Sequence, residues 1–141
     1  MNPTQLLRDG AALLAPCLDA AGFRFVERET GVGSGGPFAV GEFQKEHRTL
    51  ELHVRSALGI VVYRAAGVTI LHEALMRGVA ANERPSYPGF SEDPLDGFRH
   101  LRADLDRFGD SFLRGSDQDF AEAAARGDAL SASRRGFRSL S

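Results

Sequence analysis

The sequence predicts an α+β fold: an N-terminal helix, a four-stranded antiparallel meander, and three C-terminal helices packed on one sheet face. Apolar residues recur at helical spacing over 3–21, and again over 94–108 and 116–126. Four strand-like runs lie between, at 23–29, 38–45, 48–56 and 58–65. Short turns join the last three, which an antiparallel pair accepts and a parallel pair does not. A run of strands followed by a run of helices belongs to the α+β class, with the far face of the sheet left partly open.

Each element has a local cause. Asn2 can cap the first helix, Pro3 suits its first position and Gln5 completes a capping-box-like pair. Pro16 predicts a kink or an early end there, and Gly22 a stop. The glycine-rich run 31–37 reads as a loop. Leu50, Leu52 and Val54 alternate with Glu51, His53 and Arg55, the pattern of a half-buried strand. Phe38 and Val40 point one way and Phe43 the other, which predicts a bulge in that strand. Thr69 can cap a short helix at 70–79. Asp93 caps the next, with Pro94 first and Leu95, Phe98, Leu101, Leu105 and Phe108 as its apolar stripe. Ser116 caps the last helix; Phe120, Ala123 and Ala124 face inward, and Gly127 stops it. The expected organisation is one α+β domain over 1–127 and a flexible basic tail over 128–141.

Composition narrows the function classes. A chain of 141 residues, 43% hydrophobic and 26% charged, has the make-up of one soluble globular domain. The formal charge of -2 excludes a basic nucleic-acid footprint over the whole chain. Charge is nonetheless segregated: residues 91–119 carry eight acids and four Arg, whereas 120–141 carry two acids and four Arg. The single cysteine, Cys17, falls on the apolar stripe of the first helix and reads as an inert core thiol. With no disulfide, membrane span or signal-peptide pattern in the sequence, the expected location is the cytoplasm. The heavy preference for Arg over Lys fits a GC-rich bacterial genome.

No catalytic constellation has supporting spacing. The glycine run precedes a strand rather than a helix and lacks a Lys-Ser/Thr pair, so it is not a phosphate loop. His72-Glu73 begins like a zinc-protease helix, but Met76 stands where the second ligand belongs. No metal and no cofactor are expected. His72 and His100 read as helix-face residues, the latter pairing with Asp96.

Two candidate partner-binding surfaces remain. On the open sheet face, Glu51, His53 and Arg55 share one side of a strand, joined by Arg24, Arg28, Phe43 and Tyr63, with Val26 and Val61 beside them. Mixed charged, apolar and aromatic residues suit a protein interface. Elsewhere, the long connection holding Tyr87 and Phe90 adjoins helices exposing Asp96, Asp104 and Asp106, an acidic surface for a basic partner. The alternative is a small-molecule pocket around Glu51, His53, Arg55 and Tyr63, where a guanidinium holds an anion and His53 or Glu51 moves a proton. Self-association through the open face or a sheet edge is a further option. Nucleic acid is not an expected partner, and the basic stretch Arg134–Arg138 is too short for specificity.

The chain also resembles a family. Its leading helix, Gly22-Phe23-Arg24-Phe25, glycine loop and meander are followed by Phe98-Arg99-His100-Leu101-Arg102-Ala103-Asp104-Leu105 and Phe112-Leu113-Arg114-Gly115. This order is similar to that of small cytoplasmic immunity proteins encoded beside bacterial polymorphic toxins. The resemblance implies neutralisation of a toxin by direct binding, with no catalytic residues.

Overall fold

A computed structural model describes residues 2–89 and 91–140, with side chains through Ser133. The order is α1 (Pro3–Ala20), β1 (Arg24–Gly33), β2 (Gly36–Lys45), β3 (Arg48–Val54), β4 (Leu58–Ala65), β5 (Val68–Leu71), α2 (His72–Val79), α3 (Asp96–Phe108), α4 (Asp110–Leu113) and α5 (Asp117–Leu140). The fold is α+β, with a five-stranded antiparallel meander in the order β1-β2-β3-β4-β5.

The fifth strand corrects the expected four. Thr69 caps no helix at 70: Val-Thr-Ile-Leu at 68–71 is rich in β-branched residues and follows a tight turn, so it forms a strand and α2 begins only at His72. Ala66 and Gly67 both take positive φ, the geometry of a two-residue hairpin, so the chain folds back onto β4 before α2 begins. The glycine run is likewise a hairpin end, since β1 reaches Gly33 and β2 starts at Gly36.

Cross-strand register assigns the two sheet faces. Phe43, Leu50 and Tyr63 stand opposite one another and are fully buried, with Ile70 beside Tyr63. Glu42, Glu51, Val62 and Leu71 form the next row, on the opposite face. α1 lies across β1–β3, while α2 and α5 pack on β4 and β5. A Cβ at Gly41 would come within 2.8 Å of the Phe25 ring, so glycine lets that ring lie over β2. The expected bulge in β2 is absent, because its pairing with β3 runs unbroken from Ala39 to Lys45. Irregularities occur instead between Glu27 and Glu29 and between Leu52 and Val54.

The helices follow their caps. Asn2 Oδ1 accepts from the Gln5 amide at 2.8 Å, and α1 runs through Pro16 to Ala20. Asp93 accepts from the Leu95 amide, but α3 begins at Asp96, after a tight lead-in. Ser116 and Asp119 make a reciprocal capping box at α5: Oγ accepts from the Asp119 amide, and the Asp119 carboxylate from the Ser116 amide. Gly127 does not stop α5, which continues to Leu140. A Cβ at Gly127 would overlap the Ala74 carbonyl, and one at Gly78 the Ala123 carbonyl, so these glycines let α2 and α5 cross backbone to backbone. The side chains of the basic stretch Arg134–Arg138 lie outside the described residues.

Candidate functional site

The open sheet face carries most of the predicted charged residues. Arg24, Val26 and Glu29 of β1 share it with Phe38, Val40, Glu42 and Gln44 of β2. β3 adds Thr49, Glu51 and His53, and β4 adds Ile60, Val62 and Arg64. Glu51 is the hub: it accepts from Arg64 at 2.7 Å, and His53 Nε2 lies 2.6 Å away. Burial would raise the Glu51 carboxyl, but these hydrogen bonds outweigh it and hold the group below its ordinary range. Arg28 sits 3.6 Å from Glu42.

Three residues expected on this face lie on the other one. Phe43 and Tyr63 are core residues, as is Val61, and Val62, itself buried, takes the position on the open-face side. β4 is apolar at both parities, so alternation alone could not orient it. Arg55 does not complete the Glu51–His53 group; it donates to the Gly36 carbonyl at 3.1 Å and stacks over Phe38. The expected pocket of Glu51, His53, Arg55 and Tyr63 is therefore not assembled: Arg64 takes the place given to Arg55, and Tyr63 is behind the sheet.

Tyr63 belongs instead to a buried polar chain. Its hydroxyl lies 2.7 Å from His72 Nδ1, and His72 Nε2 lies 2.9 Å from Asp104 Oδ2. Asp104 also accepts from the backbone amides of Ser86 at 2.5 Å and Tyr87 at 2.9 Å. Tyr63 donating to Nδ1, with Nε2–H donating to Asp104, pairs every donor with an acceptor. Burial pushes the Tyr63 phenol well above its ordinary range. It would raise the Asp104 carboxyl too, but bonds from His72, Ser86 and Tyr87 outweigh it and lower that group. All three side chains have no exposed surface, so none can meet a substrate. The chain instead pins residues 86–87 to α3.

His72 does belong to a helix, on its buried face, and the reading of Asp104 and Tyr87 as partner contacts is corrected. Asp104 is sealed, and Tyr87 is buried with its ring edge-on to His72 and its hydroxyl donating to the Leu58 and Gly59 carbonyls. The signal was present in α3: Asp104 falls between Leu101, Leu105 and Phe108 on the apolar stripe, where a carboxylate needs a buried partner. Phe90 lies outside the described residues. Asp96 is half-buried and held by Ser91 and Arg99 rather than by His100, while Asp106 is exposed.

The pinned segment forms one wall of a groove of about 810 Å³ that also runs along α2 and touches α5. Met76 and Tyr87 line its base, with Glu73, Arg77, Arg84 and Leu130 around them. On the helical side, Arg48 is buried and donates to the carbonyls of Phe112 and Gly115, both at 2.6 Å, and to Asp117. It thereby ties β3 to the turn between α4 and α5. Cys17 is buried, which pushes its thiol up to about 11. Among the described residues, no group of three or more His, Cys, Asp or Glu is placed to hold a metal, and no helix is long and apolar enough to cross a membrane.

No protein-family model, curated protein or solved structure matches the chain.

Proposed function

We propose that this chain is a non-enzymatic protein-binding module that docks its partner on the open face of the sheet. The observation that carries the reading is exposed aliphatic surface among ordered charges. Ile60 and Leu71 are 53% and 50% exposed, beside Val62 and the Glu51–His53–Arg64 group, while the helices pack on the other face. Aliphatic side chains ringed by charged ones form the core and rim of a typical interface. The immunity-protein resemblance supports the same mode of action, in which a toxin in the cytoplasm is neutralised by contact alone. Affinity capture with chemical cross-linking tests this. The parent should retain one stoichiometric protein that an Ile60→Asp/Leu71→Asp variant loses; equal retention by both would contradict it.

A second reading has its own observation. The groove of about 810 Å³ between α2 and the pinned segment is of ligand size, which favours a small-molecule site there rather than on the sheet. A metabolite that co-purifies with the chain and is released by Met76→Trp would support it.

A further inference from the structure

We infer that the open sheet face takes an acidic polypeptide surface, a conclusion that rests on the docking role proposed for that face. The charges there are layered by height. Glu42 and Glu51 lie low, with side chains 11% and 18% exposed, and their partners Arg28 and Arg64 stand above them at 56% and 44%. Arg24 and Arg55 are also exposed, whereas Glu29 is the exposed acid among the described residues of the face. The carboxylates are thus spent on the floor, and guanidinium groups form the outer layer. Each guanidinium has five N–H donors in a fork that matches a carboxylate, so donors remain after the internal bonds are made. Aliphatic Ile60 on β4 and Leu71 on the edge strand β5 would pack against apolar residues of the same partner.

The face disfavours nucleic acid for a separate reason. Single-stranded nucleic acid stacks its bases on exposed aromatic rings. Here Phe43 and Tyr63 are buried behind the sheet, Phe25 lies over β2 on the helical side, and Phe38 is half-buried beneath Arg55. The outer layer offers cations and aliphatic carbons, a combination suited to a protein bearing carboxylates and apolar side chains.

Amide and side-chain methyl NMR titrations of the whole chain test the inference. The probes are a soluble 16-residue peptide rich in Glu with interspersed Leu, its Lys counterpart, and a 12-nucleotide oligothymidylate. The Glu peptide should shift resonances of Ile60, Val62 and Leu71, with the effect fading as salt rises. Arg28→Glu/Arg64→Glu should weaken it by about tenfold. Glu51→Gln, which keeps the side-chain shape and releases Arg64, should strengthen it. Preference for the Lys peptide at the same residues would overturn the acidic partner yet leave the docking face standing. Shifts with the oligonucleotide alone would overturn the polypeptide. Concentration-dependent shifts of these residues without any probe, with a doubled mass by light scattering, would make a second copy the occupant. No shifts at these residues with any probe would count against both the inference and the docking role.

Discussion

Replacing Asp104 by Ala should be among the costliest single changes in this protein. It leaves three donors without an acceptor: His72 Nε2–H and the amides of Ser86 and Tyr87. An unsatisfied buried polar group costs roughly 1–3 kcal/mol, and His72 Nε2–H and the Tyr87 amide are both sealed from water. Ser86 is only half-buried, so water can reach it and the total should be about 4 kcal/mol. Urea unfolding followed by circular dichroism would show a lower midpoint with an unchanged slope. Tyr63→Phe removes only the donor to His72 Nδ1 and should cost about 1–2 kcal/mol. Asp104→Asn should fall between the two, because its remaining oxygen still accepts from one backbone amide while its NH2 faces the other. Imidazole nitrogen shifts should show Nε2–H in the parent. The acid limb follows from the lowered Asp104 carboxyl. A group depressed on folding contributes stability above its unfolded pKa, about 3.9, and loses it as pH falls through the lower folded value. The parent should therefore lose stability more steeply than Asp104→Asn below about pH 4. Asp104→Ala within about 0.5 kcal/mol of the parent, or Tyr63→Phe costing as much, would refute the buried-chain argument.

Three further outcomes follow from the packing. Gly127→Ala should lower the melting temperature, although Ala favours a helix by about 1 kcal/mol, because its Cβ meets the Ala74 carbonyl at the α2–α5 crossing; a higher melting temperature would rule out that crossing. Arg48→Met should cost about 2–4 kcal/mol in denaturant unfolding by orphaning the Phe112 and Gly115 carbonyls, with Arg48→Lys recovering only part. Cys17, buried and with its thiol pushed up to about 11, should react with iodoacetamide at pH 8 only as fast as the protein unfolds, and faster labelling under native conditions would show an open α1.

What was legible in the chain was local. Caps at Asn2 and Ser116, the stripe Leu95–Phe108 and the alternation of Leu50, Leu52 and Val54 each depend on residues a few positions apart, and the fold follows them. Non-local partners were not legible. His72 and Asp104 are 32 residues apart, and nothing near either one names the other. Tyr63 lay in an apolar run where both parities fit a buried face, so its side was undetermined until Leu50 stood opposite. Gly127 carried two meanings, a helix stop or a close crossing, and only the position of α2 decides between them. On the candidate site, Glu51 and His53 were neighbours by alternation. Arg64 was missed because cross-strand pairing, not spacing along one strand, brings it to Glu51.

The docking role proposed for the open sheet face places the partner there and not on the helical side. Three exposed aliphatic residues make this measurable within one experiment: Ile60 and Leu71 on the open face and Leu130 on α5, 53%, 50% and 49% exposed. Hydroxyl-radical footprinting of the chain alone and with its captured partner would read all three at once. Ile60 and Leu71 should lose oxidation while Leu130 is unchanged. Protection of Leu130 with Ile60 and Leu71 still oxidised would place the partner on the helices and contradict it.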